Sequence, residues 1–546
     1  MDGACYPLSV LPGLSRLFLD AIAGGAAAFY PVSPAGDAWM TQQAGVPVAN
    51  GPLADLLEAQ NHACHGGPAA IANIALLRTG ARAVVTGQQV GLFGGPLYTL
   101  HKAATAVRLA SKATEATGMA HVPVFWLATE DHDFAEIDHA AFPGLGGSLE
   151  TVRVSHAAGG DVAGGSPVGG LRLGSAVQQA LAEAKAMLGD GPEWELLRRC
   201  YRPEATFAGA FAQWLAATFR EHGLIVFDAA GRAAHRMGAH VLERAITEAE
   251  SLETLLLERD RALEAAGYHR QVLVKRGASL LFLLAGGAEN EPHTRLPLKR
   301  VGNGRWIAGD GKAGHAQYST EELLGILASE PERLSPNALL RPVFQDAILP
   351  TAAYVGGPAE IAYFAQNGVL HEALLGRVTP VLPRLSATLI SGREAQTLEH
   401  DGLELPEIFA LPQEELMQRV GARGLPAEGK RRLQAAGSAM AGELDELTGW
   451  MRGLDPGLGR SADVAASKMR YQMNRLRRLA ARFELEKDTS IRRRVAALYG
   501  AVYPGGHLQE RRVAAAAALA RFGPPLVPAL VAAAGDACPG HKMLVL

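Results

Sequence analysis

An α/β fold with a parallel-sheet core and a C-terminal helical hairpin is predicted by three features of the sequence. A strand, a Gly-rich loop, a helix and a second strand follow one another between Ala81 and Ala128. A second strand–Gly-Gly-Pro–helix unit lies between Leu340 and Gln366. Two heptad-spaced apolar stretches flank a Gly/Pro break near Gly453–Gly457. A strand–helix–strand order of this kind implies parallel pairing through a right-handed crossover.

The elements follow in chain order. The first ~70 residues mix short helical patterns with Pro and Gly. Ala81-Arg82-Ala83-Val84-Val85-Thr86 reads as a short buried strand. Gly87-Gln88-Gln89-Val90-Gly91-Leu92-Phe93-Gly94-Gly95 is a loop, and Pro96 is a favoured helix start. Leu100, Ala104, Val107 and Ala110 keep helical spacing up to Gly118. Val122–Ala128 is the second buried strand. Residues ~150–265 read as helical, apart from a strand at 223–228. Short strands are expected at Val272–Val274, Leu280–Leu284 and Arg305–Ile307. Val378–Leu385 carries Pro380 and Pro383, which fits an edge strand or a loop.

Leu433, Met440, Leu444, Leu447 and Met451 form one heptad seam, and Met469, Met473, Leu476, Ala480 and Phe483 another. Glu443, Asp445 and Glu446 on the first helix face Arg470, Arg475, Arg477, Arg478 and Arg482 on the second. Opposite charge favours an antiparallel coiled-coil hairpin, and the Arg run reads as a solvated helix face.

Composition narrows the function. Lys+Arg 52 against Asp+Glu 55 gives a formal net charge of -3, which excludes nucleic-acid binding through bulk charge. Gly is 62 of 546 residues, about 11% against a usual ~7%. No basic leader precedes the first apolar residues, and the apolar tract Val513–Ala534 is broken by Arg521 and Pro524-Pro525, so no membrane partner is expected. Cys5, Cys64, Cys200 and Cys538 are widely separated. This is neither a zinc-ribbon spacing nor a disulfide framework, and predicts buried, reduced thiols in a cytoplasmic protein.

Three clusters carry candidate chemistry, each at the carboxyl edge of an expected strand, where open α/β sheets bind ligands. The first is Thr86–Pro96, with Thr86, Gln88, Gln89, Gly94 and Gly95 as binding candidates. Its glycines could leave backbone N–H groups aimed at an anion. It is neither a GxGxxG nor a P-loop, and the alternative is a structural turn. The second is Glu130-Asp131-His132-Asp133, followed by Glu136, Asp138 and His139. Asp131, His132 and Asp133 are candidates for acid/base work, and Glu130 for binding an ammonium group. The alternatives are helix capping and metal ligation, although no HExxH or other defined ligand spacing is present. The third runs from Arg341 through Gln345 and Asp346 to Tyr354, Gly356, Gly357 and Glu360. Arg341 could hold a carboxylate with two parallel bonds, or form a structural ion pair. Glu360 could complement a helix dipole.

Together these stretches resemble the bacillithiol biosynthesis cysteine-adding enzymes, the cysteine ligase family. The resemblance rests on TGQQVGLFGGPLYTLHKA at 86–103, PVFWLATEDHDFAEIDHA at 123–140, RPVFQDAILPTAAYVGGPAEIAYFAQ at 341–366, YPGGHLQERR at 503–512 and the ending GHKMLVL. Their order is kept across essentially the whole chain, with looser likeness over 141–335. Ala359 stands where the family usually has Gly, and ASLLF at 278–282 lacks the Asn often found before Leu-Phe.

The resemblance implies a Rossmann-like core with connecting-peptide insertions and a coiled-coil arm that makes a homodimer. The organisation expected from pattern and resemblance together is 1–150 and 336–392 for the two parts of the core, 151–335 for the insertions, 393–502 for the arm and 503–546 for a C-terminal helical segment. The implied reaction joins the carboxyl of L-cysteine to the amine of glucosaminyl-malate. An amide does not form readily from a free carboxylate, so activation by ATP with Mg²⁺ is expected, by analogy of fold. Neither HxGH nor KMSKS is present. No tightly bound metal is expected. In that reading Asp131, His132 or Asp133 deprotonates the amine or holds the cysteine ammonium, Arg341 pairs with a carboxylate, and loop 87–96 cradles an anion. Two rival readings are a metal-dependent hydrolase built on His132 and His139, and a coiled-coil assembly protein of a thiol pathway.

Overall fold

The computed structural model describes residues 4–41, 45–154, 165–286, 294–309, 316–487, 489–536 and 538–546. Met1–Gly3, part of the stretch read for a leader, lie outside the described residues. The centre is a five-stranded sheet in the order Val381–Pro383, Thr351–Gly356, Arg82–Gln88, His121–Leu127, Ile225–Asp228. Every pairing in it is parallel. The apolar runs are continuous because both faces are covered. Ala83 and Val85 join one core with Val124 and Trp126, while Val84 joins another with Ala353 and Val355 on the opposite face. Trp126 is 1% exposed and meets Phe227 and Phe344 edge-on. Pro383 closes the short edge strand, the position that tolerates a missing N–H.

The helix after the first loop spans Tyr98–Thr117 and ends on Gly118 in the left-handed conformation. Pro96 does not open it. Pro96 bridges to Ala514, and the Leu97 N–H donates to the Val513 carbonyl, so the C-terminal segment holds this stretch extended. The second Gly-Gly-Pro step does open a helix, Pro358–Leu375.

An antiparallel five-stranded sheet stands beside the core, in the order Gln317–Ser319, Arg305–Ala308, Thr294–Gly302, Ala278–Ala285, Leu334–Pro336. Val272–Val274 is not a strand, contrary to its β-branched pattern. The Gln366 side chain holds it instead, accepting from the Gln271 and Val272 N–H groups and donating to the Val272 carbonyl.

The cysteine expectation is corrected in part. Cys64 and Cys200 are free and buried, but Cys5 and Cys538 form a disulfide across 533 residues. Spacing hides this pair because the chain ends meet only in the fold. Cys5–Tyr6 lies antiparallel to His541–Val545, which runs parallel to Ser386–Ile390. The C-terminal segment therefore ends in a strand, not in helix alone.

The apolar tract near the C-terminus folds as two helices, Ala515–Phe522 and Leu526–Ala533, bent by 109°. Among the described residues no single helix is long and apolar enough to cross a membrane.

The hairpin consists of Ala427–Leu454 and Pro456–Lys487, turning at Asp455. Arg470 meets Asp445 at 2.5 Å, the charge pairing expected of the two arms, and Arg452 meets Asp463 at 2.8 Å with the charges reversed. The seam departs from the heptad reading. Leu444 and Met473 are buried with small residues at Gly437, Ala466 and Ala481, whereas Leu447, Met469, Leu476 and Phe483 face outward at about half exposure. The arms close on small side chains, and the larger ones form a second apolar face.

Candidate functional site

A cleft of about 670 Å³ opens at the carboxyl edge of the parallel sheet. It receives Gly87, Gln88 and Gln89 from one strand end, Glu130, Asp131, His132 and Glu136 from the next, and Gly357, Ala359, Glu360 and Tyr363 from the third. Arg341, Arg384 and Arg511 close one side, and Arg295 and Phe282 of the antiparallel sheet stand beside His132.

The Glu130–Asp131–His132 turn is held from several sides. The Gln89 side-chain N–H donates to Asp131 Oδ2 at 2.7 Å, and the His132 backbone N–H donates to Oδ1 at 2.7 Å. Burial raises the Asp131 pKa, but these two donors and the Arg295 charge outweigh it and hold the carboxyl below its usual range. Arg295 donates to His132 Nδ1 at 3.3 Å. A guanidinium only donates, so Nδ1 is the acceptor and the ring proton sits on Nε2. Arg295 is itself fixed by Ser335 Oγ at 2.9 Å, the Pro336 carbonyl at 2.8 Å and the face of Phe282 at 3.9 Å. Glu130 lies 3.1 Å from His235 Nε2. Burial works against charge on that imidazole, yet the Glu130 carboxylate keeps its pKa raised.

Lys102 joins the two loops. Its Nζ donates to the Gly87 carbonyl at 2.7 Å and Gln88 Oε1 at 3.0 Å, and meets Glu360 Oε2 at 2.5 Å. Glu360 also accepts from the Gly357 N–H at 2.8 Å and from Tyr354 Oη at 2.6 Å. Burial raises its pKa, and Lys102 with these donors overrides that, keeping the carboxyl ionised. All three Lys102 protons are used, so this lysine is a tie between loops and not a nucleophile.

The glycine loop departs from its expected role as an anion cradle. The Gly91 N–H donates to the Gln89 carbonyl, Gly95 to the Leu92 carbonyl and Gly94 to Tyr201 Oη at 3.0 Å. Gly94 has φ 85°, and a Cβ there would lie 2.3 Å from the Trp214 ring. Gly94 thus serves close packing against the helical insertion, the Gly95 carbonyl accepts from the Ala515 N–H, and neither glycine lines the cleft. The Gly357 N–H is likewise committed to Glu360.

Of the other candidates, Gln88, Gln89, Glu130, Asp131, His132, Arg341, Gly357 and Glu360 meet in the cleft. Asp133 precedes the short helix Phe134–Ile137 and does not line it. Thr86 is buried with Oγ1 donating to the Val355 carbonyl. Gln345 and Asp346 are buried behind the cleft, where Asp346 pairs with His371 at 3.1 Å. Tyr354 acts through Glu360, and Gly356 borders a neighbouring cavity. His139 pairs with Asp138, which also holds Arg153. Among the described residues no group of three or more His, Cys, Asp or Glu is arranged to hold a metal ion.

Sequence reasoning missed Lys102, Arg295, Arg384 and Arg511. The signal for Lys102 was a lysine within an Ala-rich helix that begins at a Gly loop. Arg295 and Arg384 lie far from any motif, and only the fold brings them in. Arg384 makes a two-bond pair with Glu510 at 2.5 and 3.0 Å. Arg295, Arg341 and Arg511 form no close salt bridge among the described residues, although Arg295 feels the charges of Glu130 and Asp131, and Arg341 that of Glu360. Arg341 donates instead to Tyr363 Oη at 3.0 Å.

The family profile "Bacillithiol biosynthesis BshC, N-terminal Rossmann-like domain" matches residues 26–385, and "Bacillithiol biosynthesis BshC, C-terminal coiled-coil domain" matches 387–546. The chain is 40% identical to a protein of Koribacter versatilis over 99% of both chains. It is 34% identical to one of Solibacter usitatus over 100% of both. With one of Salinibacter ruber the identity is 31%, over 95% of this chain and 94% of the relative. All three relatives bear the name "Putative cysteine ligase BshC". With both halves matched and full-length relatives at this identity, the chain belongs to the BshC family of bacillithiol biosynthesis.

Proposed function

We propose that this protein is a ligase that joins the carboxyl of L-cysteine to the amine of glucosaminyl-malate, forming an amide. The observation that supports it is the charge layout of the cleft. Arg295, Arg341 and Arg511 form no close salt bridge among the described residues, and they share the cleft with Glu130, Asp131 and Glu136. Such a site is matched to a ligand with several acidic groups and an ammonium.

The malate carboxylates would pair with Arg341 and Arg511, and the cysteine ammonium with Asp131 and Glu136. His132, with its proton on Nε2, offers a donor to the carbonyl oxygen under attack. Taking the amine proton instead requires a shift of that tautomer. The Lys102–Glu360 tie holds the two loops in register, which positions the reactants without itself moving a proton.

The residues also fit a phosphate-bearing co-substrate, since guanidinium groups suit phosphate oxygens. With Arg341 and Arg511 on the malate, ATP would lie against Arg295, its Mg²⁺ carried on the phosphates. When bound it supplies activation of the carboxyl. The working compartment of this reading is the cytoplasm. The outward apolar face of the hairpin supports a homodimer through the coiled coil.

The test is mass spectrometry of the protein incubated with glucosaminyl-malate and cysteine, with and without ATP and Mg²⁺. Bacillithiol formed only with ATP is the expected result. No bacillithiol from folded protein under either condition overturns the reading.

A further inference from the structure

The disulfide lies beside a second cavity of about 120 Å³. Leu8, Leu11 and Leu14 of the N-terminal segment form one wall, and Cys538 lies in another. Arg384 and Arg511 border both this cavity and the cleft. The N-terminal wall packs through Leu8, Leu11 and Leu14 against the neighbouring apolar clusters, but few backbone bonds hold it. Its strand has two residues, paired as Cys5↔Lys542 and Tyr6↔His541, with one further bond from the Met543 N–H to the Ala4 carbonyl. The partner strand is secured separately by a five-residue parallel register with Ser386–Ile390. The covalent tie therefore restrains chiefly the N-terminal segment. It is also reachable, since Cys5 is exposed and Cys538 partly so. Cys64 and Cys200 contrast with it, being buried. Burial pushes each of their thiols up to about 11.

We propose that Cys5–Cys538 is a thiol-exchange site for low-molecular-weight thiols, and that opening it releases the N-terminal wall of the cavity behind Arg384 and Arg511. A small thiolate attacks the Cys5 sulfur, the Cys5–Cys538 bond breaks, and Cys538 leaves as a thiolate that takes up the proton released by the attacking thiol. Cys5 is then a mixed disulfide. A second small thiol attacks the added sulfur, giving the free small-molecule disulfide and Cys5 thiol. Two small thiols are oxidised and one protein disulfide is reduced. Where the enzyme makes a thiol, its product belongs to the class that opens the site. That link alone rests on the proposed function.

The experiment uses the full-length protein in graded L-cysteine/cystine mixtures, quenched in acid, alkylated and mapped by mass spectrometry, with amide hydrogen exchange read in parallel. The expected result is graded opening under native conditions, with a Cys5–cysteine mixed disulfide at intermediate ratios and Cys64 and Cys200 unmodified. Exchange over residues 4–14 accelerates roughly tenfold or more, while 541–545 stays protected. Cys5→Ser and Cys538→Ser each show the fast exchange at every ratio. A disulfide that opens only after denaturation overturns the proposal, as does opening with unchanged exchange over 4–14. Turnover is read separately. Its absence in both redox states counts against the ligase reading and not against thiol exchange.

Discussion

Lys102 and Glu360 meet at 2.5 Å beneath the cleft, and through them the Gly87 carbonyl and the Gly357 N–H are tied to one buried ion pair. Lys102 is 3% exposed. A buried pair adds little when compared with a hydrophobic replacement, but removing one partner strands the other. Lys102→Met should destabilise the protein by about 3–5 kcal/mol. Lys102→Met with Glu360→Gln should recover part of that loss. Urea unfolding of these two variants and of Glu360→Gln checks it, and a double-variant loss equal to the sum of the two single losses would show that the pair is not coupled.

His132 tests the chemistry of the turn. His132→Ala should lower turnover by ~10²-fold if the ring donates or accepts a proton in the reaction. His132→Gln separates the roles, because its amide keeps a donor and cannot act as a base. Recovery of most activity in His132→Gln supports donation from Nε2, and activity as low as in His132→Ala supports proton abstraction.

The parallel sheet, its edge strand and the helical hairpin were legible because each rests on local pattern. Continuous apolar runs, a Gly-Gly-Pro step and heptad spacing are written within short windows. The site was legible where it follows a strand end, as at Gln88–Gln89, Glu130–His132 and Gly357–Glu360. It was not legible where tertiary structure supplies the residue. Arg295 comes from the antiparallel sheet and reaches His132 across 163 positions, and Arg384 finds Glu510 across 126. Gly94 misled for a related reason. Its loop looks like a phosphate cradle until Trp214, 120 positions later, is seen to fill the space. The Cys5–Cys538 pair was hidden in the same way, by chain ends that meet only after folding.

Arg341 should govern substrate affinity. It lines the cleft, where its guanidinium donates to the neutral Tyr363 hydroxyl and also interacts with Tyr354 and the Glu360 charge. Losing a hydrogen bond to a charged group costs about 1.5–3 kcal/mol, which is roughly 10–150-fold in binding. Arg341→Ala should raise KM for glucosaminyl-malate by that factor while leaving KM for cysteine little changed. Arg341→Lys should recover only part, since a single ammonium cannot make two parallel bonds. An unchanged KM for glucosaminyl-malate would place its carboxylates elsewhere.

Glu193 should make stability depend on pH. It is 8% exposed in the helical insertion, and burial pushes its carboxyl up to about 8, against the opposing bond from Trp214 Nε1 at 2.8 Å. The folded state then holds a proton that the unfolded state releases near its ordinary value of 4.5. Stability is full below about pH 4.5 and falls as pH rises to about 8. Glu193→Gln keeps an acceptor for Trp214 and has no proton to lose. Its unfolding midpoint should match the parent near pH 5 and exceed it above pH 8. Parallel pH profiles for the two proteins would refute this.

The hairpin supplies the last test. Leu476 is 56% exposed and Phe483 57%, on a helix that buries Ala466, Met473 and Ala481 but leaves Met469 and Leu479 about half exposed as well. Large apolar side chains left outside the seam are the surface that the proposed homodimer would cover. A pair of charges there would face desolvation on association but not within the monomer, because both positions are already wet. Leu476→Glu with Phe483→Glu should therefore give a folded monomer, with circular dichroism unchanged and the mass by sedimentation halved. The Asp445–Arg470 pair within the hairpin is untouched by this change, so loss of helicity would mean that these residues support the arm itself. A dimer that persists in the double variant would place the interface elsewhere on the protein.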